Sequence, residues 1–150
     1  MSHIHLEAES RCYFITSNSE ARIPVFADPQ VADIVIRALY HLRFKGMMKL
    51  HAFVLMPDHL HFVASLGPRE DLPRLIHSLK SYTAKEINRR FAQKGKVWQR
   101  GYYSHGIRNE RDAVEKIDYI MKNPVRAGLS ESVEDYNFSS ASDLFEIDPC

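Results

Sequence analysis

Cysteine is scarce in this sequence. Only Cys12 and Cys150 occur, one near each end. Two thiols so placed do not read as a disulfide framework, and a reducing cytoplasm is the expected compartment. Long apolar runs are missing too. Nothing approaches the roughly 18 consecutive apolar residues of a membrane span, so no membrane is expected as a partner. No internal repeat or low-complexity tract occurs, which argues against a repeat array. The first ten residues, Met1 to Ser10, hold His3, His5, Glu7 and Glu9 and no apolar stretch. They read as a loose leader rather than a secretory signal.

What remains is an ordinary globular composition. The 150 residues suit one domain spanning 1–150, with 45% apolar and 26% charged residues. The formal net charge of +1 conceals a segregation. Between Arg74 and Arg111, ten Lys or Arg residues stand against two acids, Glu86 and Glu110. From Glu131 to Cys150 there are six acids and no Lys or Arg. A basic middle and an acidic tail over 131–150 point to a polyanion, against the plainer reading of solvated charged faces.

Periodicity supplies the elements. Arg11 to Ser17 reads as a strand. Ser19 to Pro29 is a connection in which Pro24 and Pro29 oppose regular structure. Val31, Ile34, Val35, Ala38, Leu39 and Leu42 form the stripe of a buried helix that stops near Gly46. Lys49 to Leu55 and His59 to Leu66 make a hairpin across Met56-Pro57-Asp58. A helix follows from about Leu72 to Phe91, with Pro73 early, where proline is tolerated. A short strand is expected over Tyr102 to Ile107. The last helix runs from Glu110 or Arg111 to Asn123, where Pro124 ends it. This order predicts an α+β fold, an antiparallel sheet with packed helices in the ferredoxin-like (RRM-like) manner.

The stretch Leu55-Met56-Pro57-Asp58-His59-Leu60-His61-Phe62-Val63 holds the first chemistry. In an extended segment His59 and His61 share one face, and Leu60 and Phe62 share the other. Two neutral imidazoles on one face are half of a divalent-metal site. In the last helix Ala113, Val114, Ile117, Ile120 and Met121 cluster on one side. Tyr119 lies about 160 degrees from Ile117 and so falls on the polar face. Asn123, four residues on, shares Tyr119's side. Asn123 offers the oxygen that two imidazoles lack, or else it is a cap residue before Pro124. Tyr119 is either a nucleophile or an exposed ring packed on a loop.

Phosphoryl transfer uses such a set. A metal held by His59, His61 and Asn123 polarises a phosphodiester oxygen, and Tyr119 attacks phosphorus. A phenol in water titrates near ~10, so the attack needs a metal or a cationic pocket. The tyrosine linkage so formed keeps the energy for rejoining.

Three blocks then resemble one family. Val54-Leu55-Met56-Pro57-Asp58-His59-Leu60-His61 is similar to its His-hydrophobic-His motif. The run Val97 to Asn109 resembles its middle block, and Asp118 to Leu129 the segment carrying its nucleophile. The family is the single-tyrosine HUH nuclease superfamily, and within it the REP-associated tyrosine transposases, relatives of the IS200-like transposases. The resemblance covers roughly residues 11 to 142. It implies Mg²⁺ or Mn²⁺ on His59, His61 and Asn123, with Tyr119 as nucleophile. It also implies hairpin or single-stranded DNA as partner, at the nucleoid, and either a monomer or a homodimer exchanging its tyrosine helix.

For the DNA surface, Arg74, Lys80, Lys85, Arg89, Lys96, Arg100 and Arg108 are the candidate phosphate contacts. Trp98, Tyr102 and Tyr103 are candidate stacking rings for unpaired bases. His105 either assists at the metal or phosphate or is a hydrogen-bonded structural residue. His51 and His77 are assigned to structure and Asp58 to the turn. Three competing readings stay open: a DNA-binding protein without catalysis, a hydrolytic metallonuclease, and a structural zinc site.

Overall fold

The computed structural model describes residues 11–150, so the expected leader, with His3 and His5, lies outside them. Its centre is a four-stranded antiparallel sheet built from β1 (Cys12–Asn18), β2 (Met48–Met56), β3 (His59–Leu66) and β4 (Tyr103–Gly106). The strand order is β2-β3-β1-β4, which is the expected ferredoxin-like arrangement. Helices α1 (Pro29–Phe44) and α2 (Leu72–Arg90) cover one face. Helix α3 (Glu110–Arg126) covers the other. The alternation of each strand feeds both layers. Ile15, Phe53, Leu60 and Phe62 pack with Val35, Leu39, Leu75 and Leu79, while Phe14, Val54 and Val63 pack with Ala113 and Ile120.

The period-two argument for the hairpin holds. Leu60 and Phe62 are fully buried under α1 and α2, which leaves His59 and His61 on the α3 face. Pro57 and Asp58 alone separate β2 from β3. A bulge between Leu50 and Ala52 inserts His51 as an extra residue in β2.

Three local expectations are corrected. Pro29 does not oppose the first helix but opens it, because Asp28 caps it by accepting the Gln30 N–H at 2.9 Å. Pro124 does not end α3. The helix continues to Arg126 with the proline ring buried in its last turn, where only one backbone donor is forfeited. Val114 is not core, being 65% exposed. The buried face of α3 is centred nearer Ile120, because the polar Asp112 and Asn123 are buried beside Ala113, Ile120 and Pro124.

The acidic tail binds the free edge of β2. Leu55 donates to the Phe138 carbonyl, Ser140 to that of Phe53, and Asp148 to that of Leu50. Phe145 stacks on Tyr40 and meets Phe53 edge-on. Arg43 closes the segment with a two-pronged contact to Asp148 at 2.9 and 3.0 Å. Covering an edge strand in this way removes a template for pairing with other chains.

Candidate active site

His59 and His61 stand on adjacent turns of the β3 pleat with ring centroids 4.6 Å apart. Each is oriented through Nδ1. His59 donates its Nδ1 proton to Asp58 Oδ1 at 2.7 Å, and Asp58 is itself held by Arg22 at 3.1 Å. Burial pushes the Asp58 carboxyl up, but the His59 and Arg22 donors outweigh it and hold it below its usual range. His61 Nδ1 meets Thr16 Oγ1 at 2.8 Å, and its ring stacks on Phe14 at 5.4 Å. With each ring held at Nδ1, the Nε2 atoms are left to face a ligand, and at His59 the Asp58 carboxylate fixes the metal-binding tautomer. Thr16→Val and Asp58→Ala are each expected to weaken divalent-metal affinity about 10–100-fold, measured by calorimetric titration.

His61 is 6% exposed. Burial first, then the neighbouring charges of His59, Arg126 and Arg22, takes its pKa from 6.5 down to about 3. The ring is thus neutral, the form that ligates metal. In the metal-free protein this has a stability consequence. As pH falls below 6.5 the unfolded chain gains a proton on this histidine and the folded chain does not. Stability should fall by about 1.4 kcal/mol per pH unit from this group, until the pH nears the folded value. Melting curves of His61→Gln should lose that slope between about pH 6 and 5, above the range where carboxylates titrate.

Tyr119 comes from α3. Its ring lies 5.4 Å from His61 and 6.1 Å from Phe14, edge-on to both, and 44% of the residue is exposed. It therefore sits at the margin of the buried face and not opposite it. Measured from Ile120, one residue of helix is about 100 degrees, which brings Tyr119 to the sheet. Arg126 lies over the ring, guanidinium carbon to centroid 4.5 Å, and donates to the Tyr119 carbonyl at 2.7 Å. Asn123 is 8% exposed, one turn along α3 from Tyr119 and inside the helix rather than capping its end. Imidazole nitrogens and a carboxamide oxygen are donor types suited to a divalent ion.

Residues 10–123 match the family described as Transposase IS200 like. The chain belongs to this family. It is 31% identical over 144 residues to the REP-associated tyrosine transposase of Escherichia coli K12, covering 91% of this chain and 82% of that protein. A Haemophilus influenzae protein, named provisionally as a REP-associated tyrosine transposase, is 31% identical over 99 residues. That match takes in 59% of this chain and 56% of the relative, so the chain spans just over half of that protein's length. A solved structure of a REP-associated tyrosine transposase bound to a REP hairpin matches the fold. Its TM-score is 0.75 at 23% identity, covering all of this chain and 88% of the other.

The remaining candidates differ in exposure and partners. Arg74, Lys85, Lys96, Arg100 and Arg108 are exposed, as is Arg89, which pairs with Glu86 at 2.7 Å. Lys80, Lys96 and Arg100 border a groove of about 610 Å³ between α2 and the segment 96–101. Lys80 is half-buried and straps that segment by donating to the carbonyls of Gln99 and Gly101. Trp98 is a correction. It is 6% exposed, packs on Phe26 at 4.8 Å and donates to Thr83 Oγ1 at 2.9 Å, so its ring belongs to the core and is not offered to a base. Tyr103 is 58% exposed on the α3 face beside Phe14, and Tyr102 is partly buried. His105 binds Asp112 at 2.8 Å. Burial pushes that carboxyl up, but Lys116, the Arg108 amide and His105 hold it well below its usual range. His105 thereby anchors the start of α3.

Sequence reasoning gave no role to Arg126, Thr16 or Arg22. Arg126 stands within the block that resembles the nucleophile segment. Thr16 and Arg22 carried no signal, since they reach the site through strand register and a short 3₁₀ turn.

Proposed function

We propose that this chain is a metal-dependent DNA strand transferase that nicks and rejoins single-stranded DNA beside hairpin-forming repeats. The observation that carries the reading is the Tyr119 ring 5.4 Å from His61, with that histidine's Nε2 left free. His59, His61 and Asn123 would hold magnesium or manganese, whose chemistry when bound is Lewis-acid polarisation of a phosphate oxygen.

The chain's own residues do the rest. The Tyr119 phenol gives up its proton as its oxygen attacks phosphorus, the bond from phosphorus to the 3′ oxygen breaks, and that oxygen takes up a proton and leaves as a 3′ hydroxyl, with no net proton change. The 5′ phosphate stays on Tyr119. Attack by a 3′ hydroxyl reverses the exchange, restores the strand and frees the tyrosine. Arg126 holds the ring from one side while Phe14 and His61 meet it edge-on, which keeps the attacking oxygen's approach fixed. The nearness of Tyr119 to His61 of its own chain supports action as a monomer over exchange of the tyrosine helix in a homodimer. A REP hairpin is what the structurally similar transposase is bound to, and that partner is carried over here as part of the proposal. The working compartment is the cytoplasm, at the nucleoid. Among the described residues, no helix is long and apolar enough to cross a membrane.

The test is single-turnover cleavage of an end-labelled hairpin carrying a single-stranded flank, with Mn²⁺. Cleavage should vanish with a chelator and in His61→Ala. Cleavage that resists the chelator would remove the metal from the mechanism. Arg100→Ala should lower the slope of log affinity against log salt by about 0.7–0.9 without changing sequence preference. An unchanged slope takes Arg100 off the DNA path.

A further inference from the structure

The two cysteines meet. Cys12 opens β1 on the α3 face, and its cross-strand partner is Ser65. The β2 bulge turns His51 toward the same place, where its Nε2 lies 2.8 Å from Ser65 Oγ. The tail brings the third residue. Asp148 is fixed by Arg43, by the Leu50 N–H on its carboxylate at 2.8 Å, and by its own N–H on the Leu50 carbonyl. Two residues further on stands Cys150. One ligand atom each from Cys12, His51 and Cys150 lie within 4.8 Å of one another, and both thiols are free.

We propose that Cys12, His51 and Cys150 form a second metal site, for a thiolate-preferring cation of the zinc class, which staples the C-terminal segment to the sheet. The donor chemistry separates it from the first site. Two sulfurs and one imidazole select a soft or borderline ion, whereas magnesium and manganese prefer oxygen. The tautomer is already set: the Asp148 carbonyl accepts from His51 Nδ1 at 2.9 Å, so Nε2 keeps its lone pair, which accepts from the Ser65 hydroxyl at 2.8 Å, a bond the metal would replace. Burial of His51 favours the neutral ring. Two thiolates and a neutral imidazole cancel a divalent charge, which suits a place where Cys12 is 3% and His51 4% exposed. Tetrahedral zinc sets its ligand atoms roughly 3.5–3.8 Å apart. The three ligand atoms, within 4.8 Å of one another, would draw together to that spacing on binding, with water as the fourth ligand.

The proposal is independent of the DNA reading. Co²⁺ is titrated into the full metal-free chain under a phosphine reductant, and absorption is followed. A thiolate-to-cobalt charge-transfer band in the near ultraviolet should saturate at one equivalent and be displaced by Zn²⁺. It should vanish in Cys150→Ser and persist in the His59→Ala/His61→Ala double variant. Zinc affinity by chelator competition should fall about 100-fold or more in His51→Gln. Cys150→Ser changes an exposed residue, so the test stands even where Cys12→Ser fails to fold. Absence of the band in the folded protein, or its survival in Cys150→Ser, overturns the site.

Discussion

Tyr119→Phe is expected to abolish strand cleavage, by more than about 10⁴-fold, while folding and hairpin binding persist. The substitution removes one oxygen and keeps the ring. The contacts of that ring with Phe14, His61 and Arg126 are contacts of its edge and face, and phenylalanine repeats them. The residue is 44% exposed, so deleting its hydroxyl leaves no buried group unpaired. Loss of the attacking atom leaves no second nucleophile on the tyrosine. Single-turnover cleavage and a melting curve on the same preparation check both halves. Cleavage within tenfold of the parent would mean that water is the nucleophile and that Tyr119 only positions DNA.

The second large effect is on stability. Trp98→Ala should cost about 3–5 kcal/mol in urea unfolding, because a buried indole leaves a cavity. The ring packs on Phe26, and its N–H is the partner of the buried Thr83 hydroxyl. The segment around it also carries backbone bonds to the end of β1, from Glu20 to the Val97 carbonyl and from Gln99 to the Asn18 carbonyl. Loosening Trp98 thus loosens the strand end next to His59, which pairs with Asn18. Tyr103→Ala is the contrasting case. That ring is exposed, so stability should change by less than about 0.5 kcal/mol, while single-strand binding weakens by about 1–3 kcal/mol. A stable Trp98→Ala protein with selectively weakened DNA binding would reverse these assignments.

What was legible in the sequence was whatever obeys a period. The hairpin, its two inward apolar residues and its two outward histidines follow from alternation. The helices α1 and α2 follow from their stripes, and the ferredoxin-like arrangement from the order of elements. Helix α3 was read only in part. An apolar stripe cannot register Asp112 and Asn123 as buried, and their burial moves the covered face toward Tyr119. Trp98 misled for a related reason. A tryptophan in a basic linker looks like a stacking ring, but its anchoring depends on Thr83, a residue on another element. Cys12 and Cys150 are brought together by a tail whose β2 contacts carry no periodic signature. Long-range partners of this kind, Thr16 with His61 among them, are set by register and tertiary packing, which spacing along one chain does not encode.

The most direct test of the central claim is the identity of the bond formed. The protein is incubated with hairpin DNA and Mn²⁺, denatured and digested with protease, and the DNA-linked peptide is sequenced by mass spectrometry. A 5′-phosphotyrosine is expected on the peptide containing Tyr119. Cleaved DNA with free 5′ phosphate and no linked peptide, or a link to any other residue, would contradict it.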